Sequence, residues 1–307
     1  KFDSLTRRKM KRQSTDHIFM IEPAEFYSNP QTAGSNHYQK QDNLEDKDLI
    51  LKKAITEFRN FRDKLVSEGV NITTFKGDIG CPDHIFPNWF TTFEDGTMQI
   101  FPMKAENRRL EKNPRMVDTL SRHYELSDDL SHYEEKNIFL ESTSSMVFDR
   151  VHGVAYITLS PRADENLARE WCKKNNFFPM IFETMSHTGS PIYHTDVLMY
   201  VGTEMIGICL EVITEKYQDQ VKSMVSKHHN VMEIEGSQLL SFCGNSLEVV
   251  NNKNEAFLVM SSESESALTK IQKEEIAKHY KKIIHSDLST IEKFGGGSAR
   301  CMLSELF

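Results

Sequence analysis

Apolar residues recur along this chain with two different periods. Between 46 and 68, Leu51, Ile55, Phe58, Phe61 and Leu65 stand at helical spacing among Lys, Arg and Glu, and the run stops at Gly69, which suits the position just past a helix end. An amphipathic surface helix is predicted there. Residues 71–75 read as a strand, and a polar, proline-punctuated loop through CPDHIFPNWF leads to TMQIFPM, a second strand candidate. Farther on come IFLESTSSMVFD, a turn over 150–153, VAYITLS, a helix opened by Pro161 and running through Trp171, and FPMIFETM. Strand, strand, helix, strand is the simplest parsing.

The same order returns after Thr195. DVLMYVG and MIGICLE read as strands, and Thr214 is placed to cap a helix carrying Tyr217, Val221, Met224, Val225 and His228. LEVV and EAFLVM flank an NNKN turn, a helix is predicted from about 267 to 284, and a glycine run leads to Cys301. Units of about 60 residues would fill the chain about five times. The pattern therefore predicts one architecture of repeated mixed α/β elements rather than a parallel doubly wound sheet.

Composition narrows the partners. The formal charge of −8 argues against broad binding to nucleic acid or anionic membrane, which needs a basic surface. No apolar stretch approaches the ~18 residues of a membrane span, and a cytoplasmic location is the expectation. The first dozen residues break the acidic trend with Lys1, Arg7, Arg8, Lys9, Lys11 and Arg12. We expect residues 1–16 to be a flexible basic segment and 17–307 a single catalytic domain. Five cysteines without a CxxC pair fit reduced thiols better than a disulfide framework or a zinc site.

Candidate chemistry gathers in a few places. If IYHTDVLMYVG is a strand, alternation turns His194 and Asp196 to the same face, either as a satisfied core pair or as part of a site. Glu141 interrupts an apolar strand start and is followed by small hydroxyl residues, leaving room for a ligand. Asp83 and Asn88 share the loop before the second strand, where most aspartates cap turns. Cys301 follows GGGSAR at what reads as the first turn of a short helix, a placement that favours the thiolate, although a buried cysteine is equally an ordinary core residue. Neither GxSxG nor HExxH occurs, which leaves cysteine, histidine and several carboxylates. Those parts suit one chemistry. A guanidinium presents five N–H donors in a planar fork for carboxylates, a thiolate attacks its central carbon, and an imidazole protonates the departing nitrogen.

In their order, FPNWFTTFEDGT, FPMKAENRRLE, LESTSSMVFDR, AYITLSPRAD, the HTD step and GGGSARCMLSELF resemble the pentein superfamily of guanidine-modifying enzymes, over nearly the whole chain from about Phe19. Among them the chain is most similar to the amidinotransferase-like citrulline-utilisation hydrolases. The resemblance implies a five-bladed α/β propeller of ββαβ-type units around a pseudo-fivefold axis, with the site in the central channel. It implies Cys301 as nucleophile, His194 as general acid and base, and Glu141 as the residue orienting His194. It further implies that Asp83, in the loop that also presents Asn88, and Asp196, in the HTD step, grip the head-group nitrogens. Arg162 would hold the α-carboxylate, with Arg108 or Arg109 as a second clamp. Arginine deiminases of this superfamily carry an acid three residues after the glutamate, where this chain has Ser144. That departure favours hydrolysis of citrulline to ornithine, ammonia and carbon dioxide through a covalent cysteine adduct. A deiminase or amidinotransferase acting on arginine or a relative is the alternative, and a non-catalytic amino-acid-binding pentein is the alternative of another class. A small-molecule partner is expected, with no metal or organic cofactor, and a homo-oligomer is compatible with this reading.

Overall fold

The computed structural model describes residues 10–40 and 46–307. Fifteen strands are found among them, in five three-stranded sheets. In chain order the strands are β1 His17–Glu22, β2 Asn71–Lys76, β3 Phe90–Thr92, β4 Thr97–Ile100, β5 Glu125–Asp129, β6 Met146–Asp149, β7 Val154–Thr158 and β8 Phe178–Phe182. They continue with β9 Met199–Val201, β10 Met205–Ile208, β11 Asn230–Glu233, β12 Leu247–Val250, β13 Ala256–Ser261, β14 Ile283–Ser286 and β15 Ser304–Glu305. Each sheet has one plan. A short strand pairs antiparallel with its successor, which pairs parallel with a third strand reached through a helical crossover, as parallel pairing requires.

The fifth sheet shows how the chain closes. Its order is β15-β1-β2, so the last strand of the chain supplies the short member for the first two. Ile18 lies opposite Glu305, and Phe19 opposite Ser304. The short strands β3, β6, β9, β12 and β15 form the inner ring: β15 touches β3, the turn entering β6 touches β3, β6 touches β9, and β9 touches β12. Asn245 O accepts from Arg300 N at 3.3 Å, joining the entries to β12 and β15. This is the five-bladed α/β propeller that the family resemblance implied, built from the repeated mixed units that the sequence pattern predicted.

The inner strands are buried along nearly their whole length, whereas the crossover helices bury one face. Helix Lys47–Ser67 buries Ile50, Ala54, Phe58, Phe61 and Leu65 and leaves its charged face to water. Burying a side chain of the Leu or Phe kind contributes roughly 1.5–3 kcal/mol, so this face fixes the helix on its sheet. Asp46 caps the start, and Gly69 takes φ 86° after the end, a conformation that costs glycine nothing.

Several expected elements differ. The stretch predicted as a helix from 267 to 284 holds helix Lys270–His279 and then β14, with Thr269 and Gln272 forming a capping box. The helix after Pro161 begins at Glu165, because Asp164 rather than the proline caps it. Residues 195–198, predicted as strand, make one helical turn before β9, and residues 142–145 do the same before β6. Of the segment to residue 16 that was expected to be flexible, residues 10–16 are described and packed onto the fold. Met10 N donates to Arg150 O at 3.0 Å, Gln13 is buried with its Nε2 on Phe148 O and Val201 O, and Thr15 Oγ1 donates to Leu306 O at 2.6 Å. Lys1, Arg7, Arg8 and Lys9 lie outside the described residues. Among the described residues no helix is long and apolar enough to cross a membrane.

Candidate active site

The entries to the inner strands all open at one end of the ring. Asn88 precedes β3, Glu141 precedes β6, His194 and Asp196 precede β9, Asn245 precedes β12 and Cys301 precedes β15. One turn from each blade is thus delivered to the same place. Asp83, Asn88, Arg108, Arg162, His194 and Cys301 line a common cavity with Asn36, Phe86, Tyr193 and two glycines of the terminal run. Every polar residue proposed from sequence is buried except Arg109, which is half-buried.

Glu141 sits at the start of its helical turn, where Ser142 adopts φ 45°. That left-handed conformation is costly for a non-glycine residue; the Ser142 hydroxyl donating to Phe90 O at 2.6 Å, and Glu141 N donating to Ser145 Oγ at 3.0 Å, hold it in place. The Glu141 carboxylate accepts from Lys104 N at 3.0 Å and from His194 Nε2 at 2.7 Å, with Arg162 Nη1 at 3.6 Å and Arg108 Nη1 at 3.8 Å. Burial alone would raise its pKa. The Arg162 charge, the His194 hydrogen bond and Arg108 outweigh burial and hold it below the usual carboxylate range. An ionised Glu141 only accepts, so Nε2 carries the imidazole proton and Nδ1 carries the lone pair. Nδ1 is buried without a hydrogen-bond partner. Burial lowers the His194 pKa against the pull of Glu141, leaving a neutral base.

Strand alternation does not explain why His194 and Asp196 share the site, because the chain turns helically at Thr195. The Thr195 hydroxyl donates to Ser145 O at 2.6 Å and accepts from Thr158 N at 2.9 Å, pinning the turn. Asp196 Oδ2 accepts from the Cys301 thiol at 3.6 Å, while Oδ1 is buried and unpaired. Burial raises the Asp196 pKa, against His194, Arg300 and the nearby Ser144 hydroxyl. Ser144 Oγ itself completes no well-formed hydrogen bond. Asp83 has the same half-paired character: one oxygen accepts from Asn29 Nδ2 at 2.8 Å and Oδ1 has no partner.

Cys301 lies in a tight turn, Arg300–Met302, held by Asn245, whose Nδ2 donates to Sγ at 3.1 Å and whose Oδ1 accepts from Cys301 N at 3.3 Å. The glycine run exists for close approach. A Cβ on Gly297 would stand 3.2 Å from Sγ, and one on Gly296, which has φ 62°, would stand 2.5 Å from Gln39 N. The expectation of a thiol tuned toward the thiolate is not met in the empty site: burial, and then Asp196, push the Cys301 pKa well above that of an ordinary thiol. The space remaining is small, about 10 Å³ for the centre of a water-sized sphere, on the order of one water.

The arginines differ in readiness. Arg162 Nε and Nη2 donate to Ser35 Oγ at 3.1 and 2.9 Å, and its guanidinium lies over the Tyr193 ring. Arg108 is committed to Glu111 at 2.9 and 3.1 Å and to Phe86 O. Arg109 turns away to Met103 O and Lys104 O. Sequence reasoning missed Asn245, Tyr193, Asn36 and Glu111. The inner-strand entries recur every 51–56 residues from Asn88 through Glu141, His194 and Asn245 to Cys301, and that period was the signal that would have found Asn245.

The profile of the family described as N,N dimethylarginine dimethylhydrolase, eukaryotic, matches residues 22–307. Comparison with curated proteins finds no match. Among solved structures, the N-terminal domain of ArgZ with product bound, an arginine dihydrolase from the ornithine–ammonia cycle in cyanobacteria, superposes with TM-score 0.72 at 15% identity, covering 95% of this chain and 97% of that one. A variant of AgrE in complex with L-arginine gives 0.75 at 12% identity, covering 95% and 40%. A dimethylarginine dimethylaminohydrolase adduct with S-methyl-L-thiocitrulline gives 0.62 at 19% identity, covering 94% and 99%. The chain spans only about 40% of the longer ArgZ and AgrE chains. At these identities the likeness to solved structures establishes the fold.

Proposed function

The chain belongs to the eukaryotic-type N,N dimethylarginine dimethylhydrolase family of the pentein superfamily, hydrolases acting on C–N bonds, and on that premise we propose how its channel works and on what. Residues 17–307 act as one catalytic unit on the terminal carbon of a guanidino or ureido amino acid, and citrulline is the substrate we put first. The observation that carries the reading is a thiol, an imidazole with a free lone pair and the half-paired Asp83 carboxylate around one cavity, with a second half-paired carboxylate, Asp196, against the thiol. Unpaired buried polar atoms cost about 1–3 kcal/mol each, and a planar head group rich in N–H donors supplies what Asp83 and Asp196 lack.

In this mechanism His194 Nδ1 takes the Cys301 proton and the thiolate forms a bond to the ureido carbon. The C–N bond then breaks as His194 returns the proton to the leaving nitrogen, and water opens the resulting thioester-like adduct. With citrulline, ammonia leaves first and the adduct is a thiocarbamate; water frees the carbamate of ornithine, whose remaining C–N bond breaks with loss of carbon dioxide, so one water gives ornithine, ammonia and carbon dioxide. Arg162 is the candidate for the α-carboxylate, with Arg108 reinforcing Glu141, and Asn88 completes the head-group wall.

Ser144 supports citrulline over arginine. A hydroxyl there can donate to a ureido oxygen, whereas a carboxylate can only accept from guanidinium nitrogens. The family description supports a second reading, N,N-dimethylarginine hydrolysed to citrulline and dimethylamine. Purified protein offered citrulline, arginine and N,N-dimethylarginine separately, with products separated by mass spectrometry, decides between them. Ornithine from citrulline supports the first reading; citrulline from N,N-dimethylarginine, without further conversion, overturns it in favour of the second, and citrulline from arginine alone overturns it in favour of a deiminase.

A further inference from the structure

Each inner strand runs from the catalytic end of the ring to the opposite end, and β6 finishes there at Asp149. The following turn brings His152 back onto Asp149, whose Oδ1 accepts from His152 N at 2.9 Å, while His152 Nδ1 lies 3.0 Å from both carboxylate oxygens. The next blade adds a third group. In the turn between helix Glu215–Val225 and β11, His229 places Nε2 3.8 Å from Asp149 Oδ2, with its side chain almost wholly buried. His228 stacks on His152 with ring centroids 4.1 Å apart and planes 4° from parallel, and His229 meets His152 edge-on at 5.2 Å.

An aspartate closing a turn onto a histidine three residues away is an ordinary local arrangement. It does not account for an imidazole brought in from another blade. One ligand atom from each of Asp149, His152 and His229 falls within 4.8 Å of the others. From these contacts we propose that Asp149, His152 and His229 form a binding site for a divalent transition-metal ion, with Zn²⁺ the fitting ion, at the end of the propeller opposite Cys301. Zinc takes histidine nitrogen and carboxylate oxygen at about 2.0–2.2 Å, which sets neighbouring tetrahedral donors roughly 3.3–3.5 Å apart. The separations of 3.0 and 3.8 Å to Asp149 straddle that value, so closure onto the ion needs only modest shifts of His152 and His229. Imidazole ligation selects against Mg²⁺ and Ca²⁺, which take oxygen. A bound ion would clip the β6–β7 turn to the turn before β11, joining two blades that otherwise meet through inner-strand packing.

The test titrates full-length wild type and Cys301→Ser with Zn²⁺ against a chromophoric chelator, so that the catalytic thiol is separated from the new site, and repeats the titration with His152→Gln, His229→Gln and the double variant. One equivalent of Zn²⁺ in both wild type and Cys301→Ser is expected. Each single histidine change should weaken binding by more than the ~10–100-fold that loss of an outer-shell partner costs. Zn²⁺ should raise the thermal midpoint of Cys301→Ser but not of the double variant. Absence of binding in Cys301→Ser, or unchanged affinity in the double variant, overturns the site.

Discussion

Glu141→Gln is the most informative single change, because one carboxylate serves four partners at once. Gln keeps the shape and an acceptor oxygen but removes the charge that faces Arg162 at 3.6 Å and Arg108 at 3.8 Å. At an effective dielectric constant of about 20, each of those attractions is about 4–5 kcal/mol before desolvation. Both arginines retain other partners, Ser35 for one and Glu111 for the other, so the net loss is smaller, about 3–5 kcal/mol, as for removing one member of a buried pair. Because the folded-state pKa of Glu141 is depressed, its stabilisation is fully present above the unfolded value of about 4.3. It is lost as pH falls toward the folded value. Urea unfolding of wild type and variant should therefore differ by a constant amount from neutral pH down to about 5 and converge in stronger acid. Turnover should fall by about 10²–10⁴, the usual contribution of a positioned acid–base group, since His194 loses the partner that fixes its tautomer. A variant within about 1 kcal/mol of wild type at pH 7 that still turns over substrate would refute this account of Glu141.

Cys301 in the substrate-free protein should react slowly with iodoacetamide near neutral pH, and the rate, followed by peptide mass spectrometry, should still be climbing past an ordinary thiol pKa of about 8.5; a plateau below pH 8 would contradict the buried, protonated thiol. Asp196→Asn should act in opposite directions on two readouts: removing the neighbouring negative charge speeds Cys301 alkylation, while loss of a head-group acceptor raises KM. Slower alkylation, or an unchanged KM, would count against it. Gly297→Ala puts a methyl group 3.2 Å from Sγ and 3.3 Å from Phe86 Cε1, and since a misplacement of about 1 Å can cost 10²-fold, about a tenfold loss in kcat with the fold intact is expected. Unchanged kcat would show that the thiol position is not critical.

The blade plan was legible because apolar alternation and helical spacing persist in the middle strands and crossover helices, where each element has one face in the core. It failed at the inner-strand entries. Residues 142–145 and 195–198 are buried on every side and are turned by hydrogen bonds from neighbouring blades, such as Thr195 to Ser145 O, so no local period announces them. The misjudged stretch from 267 to 284 has a local cause as well: Ile283 and Ile284 continue a helical-looking series but pair instead with Leu258 and Val259. Candidate site residues were legible as residue types out of place, a carboxylate or imidazole in an apolar run. Asn245 carries no charge and looked like loop. The raised thiol pKa depends on how completely other blades enclose Cys301, a property of the assembled ring.

That enclosure also bears on what the site accepts. The two unpaired carboxylate oxygens come from different blades, Asp83 before β3 and Asp196 before β9. A single ammonium, as at the end of ornithine or lysine, concentrates its donors on one atom, whereas a ureido or guanidino group spreads them over a plane around the carbon that the thiol must reach. On the proposed reading, such a group would pair both oxygens and hold that carbon between them, so the polar deficit at Asp83 and Asp196 would orient the reacting bond. Ornithine, the amine expected from cleavage of citrulline, would satisfy fewer of these contacts. The same unpaired oxygens that would draw such a substrate in would thereby favour release of its product.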